Sequence, residues 1–232
     1  MSGWWVHGLV QDGRVLELVA WIFWVLLSIT LHELGHGVAA IRQGDRTPIE
    51  TGRMTFNPIV HMGGLSLLAF ALIGIAWGLM PVDPSRFRDG RLGRAFVAAA
   101  GPAVNLVLVI ACGLLCVLWL RFATSLPDEV YRGGAVILWT GCSLNLILAV
   151  FNLLPVPPLD GSGILSGLSW KAYQFYQRPE AQMFGMAFVL IVFITGIFKA
   201  AWGLLLSVAA SAIDLAGGPL GNPPIIPVVY LP

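Results

Sequence analysis

Long apolar stretches constrain this chain most. Residues 15–41, 63–80, 96–120, 136–154 and 183–215 run with very little charge, and about 20 apolar residues in a row are what a bilayer core of roughly 30 Å asks of a helix. Composition agrees: the 232 residues are 57% hydrophobic and 11% charged, where an ordinary globular chain has roughly 45–50% and about 25%. A soluble domain of this size needs a charged skin that such a chain cannot supply, and a mean hydropathy of +0.83 makes lipid the expected solvent. A soluble enzyme, a disordered chain and a disulfide scaffold are all disfavoured. With 13 Lys and Arg against 12 Asp and Glu the net charge is +1, which gives no electrostatic reason to expect a nucleic-acid partner. Cys112, Cys116 and Cys142 lie inside apolar runs and read as small hydrophobes packed in a bundle.

The pattern predicts an all-α polytopic membrane protein of about four to six membrane segments. One domain, residues 1–216, is expected, followed by a Pro-rich tail at 217–232 that is too proline-dense for a helix. Residues 42–62 read as a turn with one or two short strands, the extended-looking part being 49–56. Residues 63–80 are apolar but short, and are broken by Gly63, Gly64, Gly74 and Gly78. A basic loop at 81–94 carries Arg86, Arg88, Arg91 and Arg94. The span at 96–120 is expected to open around Gly101 and Pro102, and the span at 136–154 runs into Pro155, Pro157 and Pro158. Residues 183–215 form either one long tilted helix or a bent pair.

Within the first apolar run stands His32-Glu33-Leu34-Gly35-His36. One helical turn separates the two imidazoles, so both leave the same face and can hold one zinc ion, while Glu33 lies beside them to take a proton from water. Burying these groups in an apolar helix costs roughly 2.5–3.5 kcal/mol for the acidic residue alone, which calls for a partner. The plainer alternative makes them the wet end of a span. A catalytic zinc site takes about three protein ligands plus water, so a third ligand must come from elsewhere. Asp160, after the Pro-rich stretch, is one candidate, its alternative being a turn carboxylate at a helix C-terminus. His61 is another, though Asn57 and Pro58 mark a turn there and favour a backbone partner for it.

Three segments taken together resemble a known family. His32-Glu-Leu-Gly-His36, Gly101-Pro-Ala-Val-Asn105 and Asn152-Leu-Leu-Pro-Val-Pro-Pro-Leu-Asp-Gly161 are similar, in that order, to the signatures of the site-2 protease family of intramembrane zinc metalloproteases. Residues 52–61 and the basic loop resemble its short bacterial branch, which lacks a PDZ domain. The likeness implies that His32, His36 and Asp160 hold one Zn2+ per chain and that Glu33 activates water. It makes Asn152 a candidate for contacting substrate or the developing oxyanion, and Asn105 a candidate for positioning it. The alternative for both asparagines is a helix-to-helix hydrogen bond inside the bundle. The chain departs from the branch after His61, where Met62-Gly63-Gly64 replaces an expected acidic residue and proline.

Arg42, Arg46 and Arg53 after the first span outnumber Arg14 before it, which puts the histidine end on the cytoplasmic side. Asp160 can share a metal with that end only if it emerges on the same side. Residues 63–80 are therefore expected to dip into the bilayer and return, because a full crossing would carry both Asp160 and the arginine-rich loop to the opposite face. The expected activity is hydrolysis of a peptide bond within or beside a transmembrane segment, with 49–56 pairing to the extended substrate as an edge strand. The expected surroundings are a bacterial inner membrane, a transmembrane protein substrate and a separate regulatory membrane partner, with the oligomeric state left open. The rival from another class is a membrane metal carrier or zinc-binding scaffold, which would string ionisable groups across the spans.

Overall fold

Residues 5–195 and 197–217 are described by a computed structural model, and among them every regular element is helical. In chain order these are α1 (Trp5–Gln11), α2 (Val15–Arg42), α3 (Thr47–Glu50), α4 (Pro58–Ile73), a short 3-10 turn (Pro84–Arg86), α5 (Gly90–Phe122), α6 (Asp128–Asn152), α7 (Asp160–Leu168), α8 (Trp170–Tyr176), α9 (Pro179–Ile194) and α10 (Ile197–Gly217). Three of them, α2, α5 and α6, are long and apolar enough to cross a membrane. At about 1.5 Å per residue they reach roughly 38–50 Å, against a bilayer core of about 30 Å. The chain is a multi-pass helical membrane protein.

Burial is arranged for lipid. Val107, Ile110, Leu114 and Leu118 on the outer face of α5 are exposed, while Asn105, Asn145 and Ser28 are fully buried between helices. Trp21 and Trp24 of α2 pack with Trp139 and Cys142 of α6 and with Cys112 and Cys116 of α5. All three cysteines are free and buried, as small hydrophobes in a bundle should be. Gly141 lets α2 and α6 close up, since a Cβ there would run into the Trp24 indole, whose Nε1 donates to Ile137 O at 2.8 Å.

Residues 49–56 are not a strand. Asp45 accepts from the Thr47 backbone N–H at 2.9 Å and from its hydroxyl, Pro48 sits in the first turn, and Gly52 at φ 67° ends the element. This is helix-start and helix-stop chemistry, and it wins over the alternation of Ile49 and Phe56. Edge pairing of a substrate to this stretch loses its basis. Pro102 is also displaced from its expected place: α5 starts at Gly90, so the proline lies inside the helix. Residues 183–215 fall into the pair α9 and α10. Most of the Pro-rich tail, residues 218–232, lies outside the described residues.

The chain between α2 and α5 leaves one end of the bundle and comes back to it. Asn57 caps α4 by accepting from Ile59 N–H, and Gly74 at φ 74° closes it. The strand-free segment that follows runs back along α4: Ser66 Oγ donates to Trp77 O at 2.7 Å and accepts from Trp77 N–H at 2.8 Å, and Leu79 N–H donates to His61 O at 3.0 Å. The loops on either side of this excursion are locked together, Arg88 N–H on Gln43 O at 2.8 Å, Asp83 N–H on Asp45 at 2.7 Å and Arg86 on Glu50 at 2.9 Å. Burial alone would raise the Asp45 pKa, but the hydrogen bonds from Thr47 and Asp83 outweigh it and hold the carboxyl below its ordinary value, so it stays a charged acceptor.

Candidate metal centre

The helical period places His32 and His36 on one face of α2, and the structure brings their Nε2 atoms to 3.1 Å of each other. Asp160 completes the group, with Oδ2 at 3.1 Å from His32 Nε2 and Oδ1 at 3.3 Å from His36 Nε2. One ligand atom from each of the three lies within 4.8 Å of the others. A tetrahedron with metal–nitrogen bonds of about 2.0–2.1 Å has edges of roughly 3.3 Å, so these spacings suit a zinc-sized ion. Asp160 Oδ2 is buried and makes no hydrogen bond, its approach to His32 being close but poorly aligned. A carboxylate with one buried oxygen that has no donor, set against two imidazole nitrogens, is an arrangement that a cation satisfies.

Asp160 reaches this position through a tight fold-back. After α6 ends at Asn152, residues 153–159 turn so sharply that a Cβ on Gly161 would collide with Leu153 O and Leu154 O. Asp160 is consequently the first residue of α7, a helix N-terminus that favours a carboxylate, and not a turn residue at a helix C-terminus. Helix α5 supplies the opposite wall. Gly101 lies so close to the rings that a Cβ would strike Nε2 of both histidines. Behind the rings, His36 Nδ1 meets Val97 O at 2.8 Å and His32 Nδ1 meets Asn105 Oδ1 at 2.6 Å. Both histidines are thus held at Nδ1 by α5 and turn Nε2 toward Asp160.

Asn105 therefore stands behind a histidine, fully buried, with its Nδ2 donating to Asn145 Oδ1 at 2.8 Å. Asn152 is partly buried, and its amide Nδ2 donates to Leu148 O of its own helix at 3.0 Å. His61 is buried at the foot of α4, where its Nε2 meets Thr55 O at 2.6 Å, and it lies outside the donor group. Glu33 is buried beside the pair, and the returning segment covers it: a Cβ on Gly78 would fall 2.5–2.8 Å from the Glu33 Oε1, Cγ and Cδ atoms. Gly78→Ala should push this carboxylate aside and slow turnover by about 100-fold, the usual cost of a misplacement of about 1 Å. Zinc content should stay at the parent level, and an unchanged rate would show that Gly78 does not govern Glu33. Sequence reasoning missed Gly78, Asn145 and Ser28. Only Asn145 left a signal, as an amide in the middle of an apolar span.

The family model described as Peptidase family M50 matches residues 128–195, the part that contains Asp160. "Putative zinc metalloprotease YwhC" of Bacillus subtilis (strain 168) is 33% identical over 172 residues, covering 74% of this chain and 78% of the relative. The chain belongs to peptidase family M50. It is therefore a metalloprotease of the site-2 protease kind. "Putative zinc metalloprotease Rip2" of Mycolicibacterium smegmatis is 31% identical to this M50 peptidase over 191 residues, covering 78% of the chain and 67% of the relative. "Zinc metalloprotease MJ0392" of Methanocaldococcus jannaschii is 26% identical over 185 residues, covering 77% of the chain and 44% of the relative. No solved structure matches the chain significantly. Zinc is the metal in these relatives' names, and the two imidazoles and one carboxylate of this M50 peptidase fit it.

Proposed function

We propose that this M50 peptidase is an intramembrane endopeptidase that hydrolyses a peptide bond within or beside a transmembrane segment of another membrane protein. The observation that carries this reading is the convergence of His32, His36 and Asp160, with Glu33 beside them, inside a bundle whose outer faces are apolar. His32, His36 and Asp160 would hold one zinc ion, which when bound would polarise the scissile carbonyl and make water a stronger acid. Glu33 takes the proton of the attacking water and returns it to the departing amine. The covering segment at Gly78 limits how much bulk water surrounds that carboxylate. A helical substrate shields its own amides, so it has to unwind locally before the carbonyl can approach. Among the described residues this is the one group of three or more His, Cys, Asp or Glu side chains able to share a metal. A metal carrier would need a succession of them.

The purified protein in detergent or liposomes should cut a transmembrane reporter peptide, lose that activity to a chelator and regain it with zinc. Chelator-resistant cleavage would sink the reading. The site lies at the end of the bundle where the arginine-rich loops are joined, which supports the cytoplasmic side of a bacterial inner membrane. A Ser85→Cys variant should react with a membrane-impermeant thiol reagent only from the cytoplasm. Ser85 is exposed, and the three native cysteines are buried. Labelling from outside would reverse the topology.

A further inference from the structure

Two fully buried amides, Asn145 on α6 and Asn105 on α5, connect the interior of the bundle to His32. Shielded from water, each amide must match its donor end to an acceptor and its acceptor end to a donor. Asn145 Nδ2 donates to Gly141 O at 2.8 Å and to Ser28 Oγ at 2.9 Å. A backbone carbonyl can only accept, so the first contact leaves Asn145 one orientation, with Oδ1 toward α5. There it receives Asn105 Nδ2 at 2.8 Å. Asn105 is thereby turned so that Oδ1 faces His32 Nδ1 at 2.6 Å. An amide oxygen cannot donate, so the hydrogen in this contact belongs to His32 Nδ1, and the Nε2 lone pair is free to face Asp160.

We propose that Asn145 is a positioning residue for the metal centre: the fixed polarity of the Gly141 carbonyl passes through Asn145 and Asn105 and sets the His32 tautomer that can ligate a metal. His36 needs no such relay, because its Nδ1 rests directly on a backbone carbonyl, Val97 O. Asn145 touches none of the ligands and acts through Asn105. The inference rests on the ligand assignment above.

Zinc affinity, read by competition with a chromophoric chelator in detergent, tests it without recourse to activity. Asn145→Leu removes the acceptor that orients Asn105, which can then turn its NH2 toward His32 and favour the wrong tautomer; affinity should fall about tenfold, as for the loss of other outer-shell partners. Asn105→Asp offers His32 an oxygen whichever way it turns, and Asn145→Leu removes the Asn145 Oδ1 that its second oxygen would otherwise oppose, so the double variant should recover the parent's zinc affinity. Parent-like affinity in Asn145→Leu, or no rescue in the double variant, overturns the proposal. Should Asn145→Leu fail to fold, the zinc-loaded parent labelled with 15N-histidine decides. A slowly exchanging hydrogen on the His32 Nδ1 supports the relay, and a freely exchanging one overturns it. A parent that binds zinc without cutting peptides refutes the protease reading alone, and a parent that binds no zinc refutes both.

Discussion

Glu33→Gln should reduce peptide hydrolysis by roughly 10²–10⁴-fold while the protein keeps its full complement of zinc. The substitution preserves the size and shape of the side chain, which matters here because the space beside the Glu33 carboxylate is so close that even a Cβ on Gly78 would overlap it. It replaces a group that can take up a proton with an amide that cannot. Glu33 is not among the three donors that converge, so metal content should not change. The measurement pairs the cleavage rate of a transmembrane reporter peptide with zinc per chain on the same preparation. Cleavage at the parent rate would remove Glu33 from the chemistry. Loss of zinc together with activity would make it a ligand, contrary to the geometry.

Gly101→Ala should lower zinc affinity and turnover, each on the order of 100-fold, without unfolding the helices. The added methyl would occupy the space of the His32 and His36 Nε2 atoms. The helices have little freedom to move apart locally, since a Cβ on Gly35 of α2 would already stand 3.0 Å from Ala100 O and 2.8 Å from Val104 Cγ2 of α5. The rings themselves must rotate away from Asp160, and the donor set is lost. Gly113→Ala is the matched control on the same helix, because its new methyl would find only Cys142 Sγ at 3.6 Å, an ordinary contact. Equal zinc binding by Gly101→Ala and the parent would place the metal somewhere other than against α5.

Two differences between sequence and structure share one cause. Pro102 suggests a helix start because proline is favoured in a first turn, yet it occurs in the interior of α5. In a membrane bundle, neighbouring helices compensate for the missing N–H. Residues 49–56 suggest a strand by their alternation, while the Asp45–Thr47 cap, Pro48 and Gly52 decide for a turn of helix. In both places a local signal was read without the contact that outweighs it.

The sequence by itself determined the solvent, the helical class and half of the site. Apolar run length and scarcity of charge depend only on the order of residues, and the period of α2 alone puts His32 and His36 on one helix face with Glu33 beside them. Metal sharing asks for His32, His36 and Asp160 to lie on one side, and in the structure hydrogen bonds join the loops on either side of residues 51–82. Tertiary structure decided the rest. Asp160 reaches the histidines only through the fold-back over Gly161, Gly101 is required only because α5 packs against both rings, and Asn145 matters only through Asn105. These depend on distances between residues far apart in the chain, which no local period encodes.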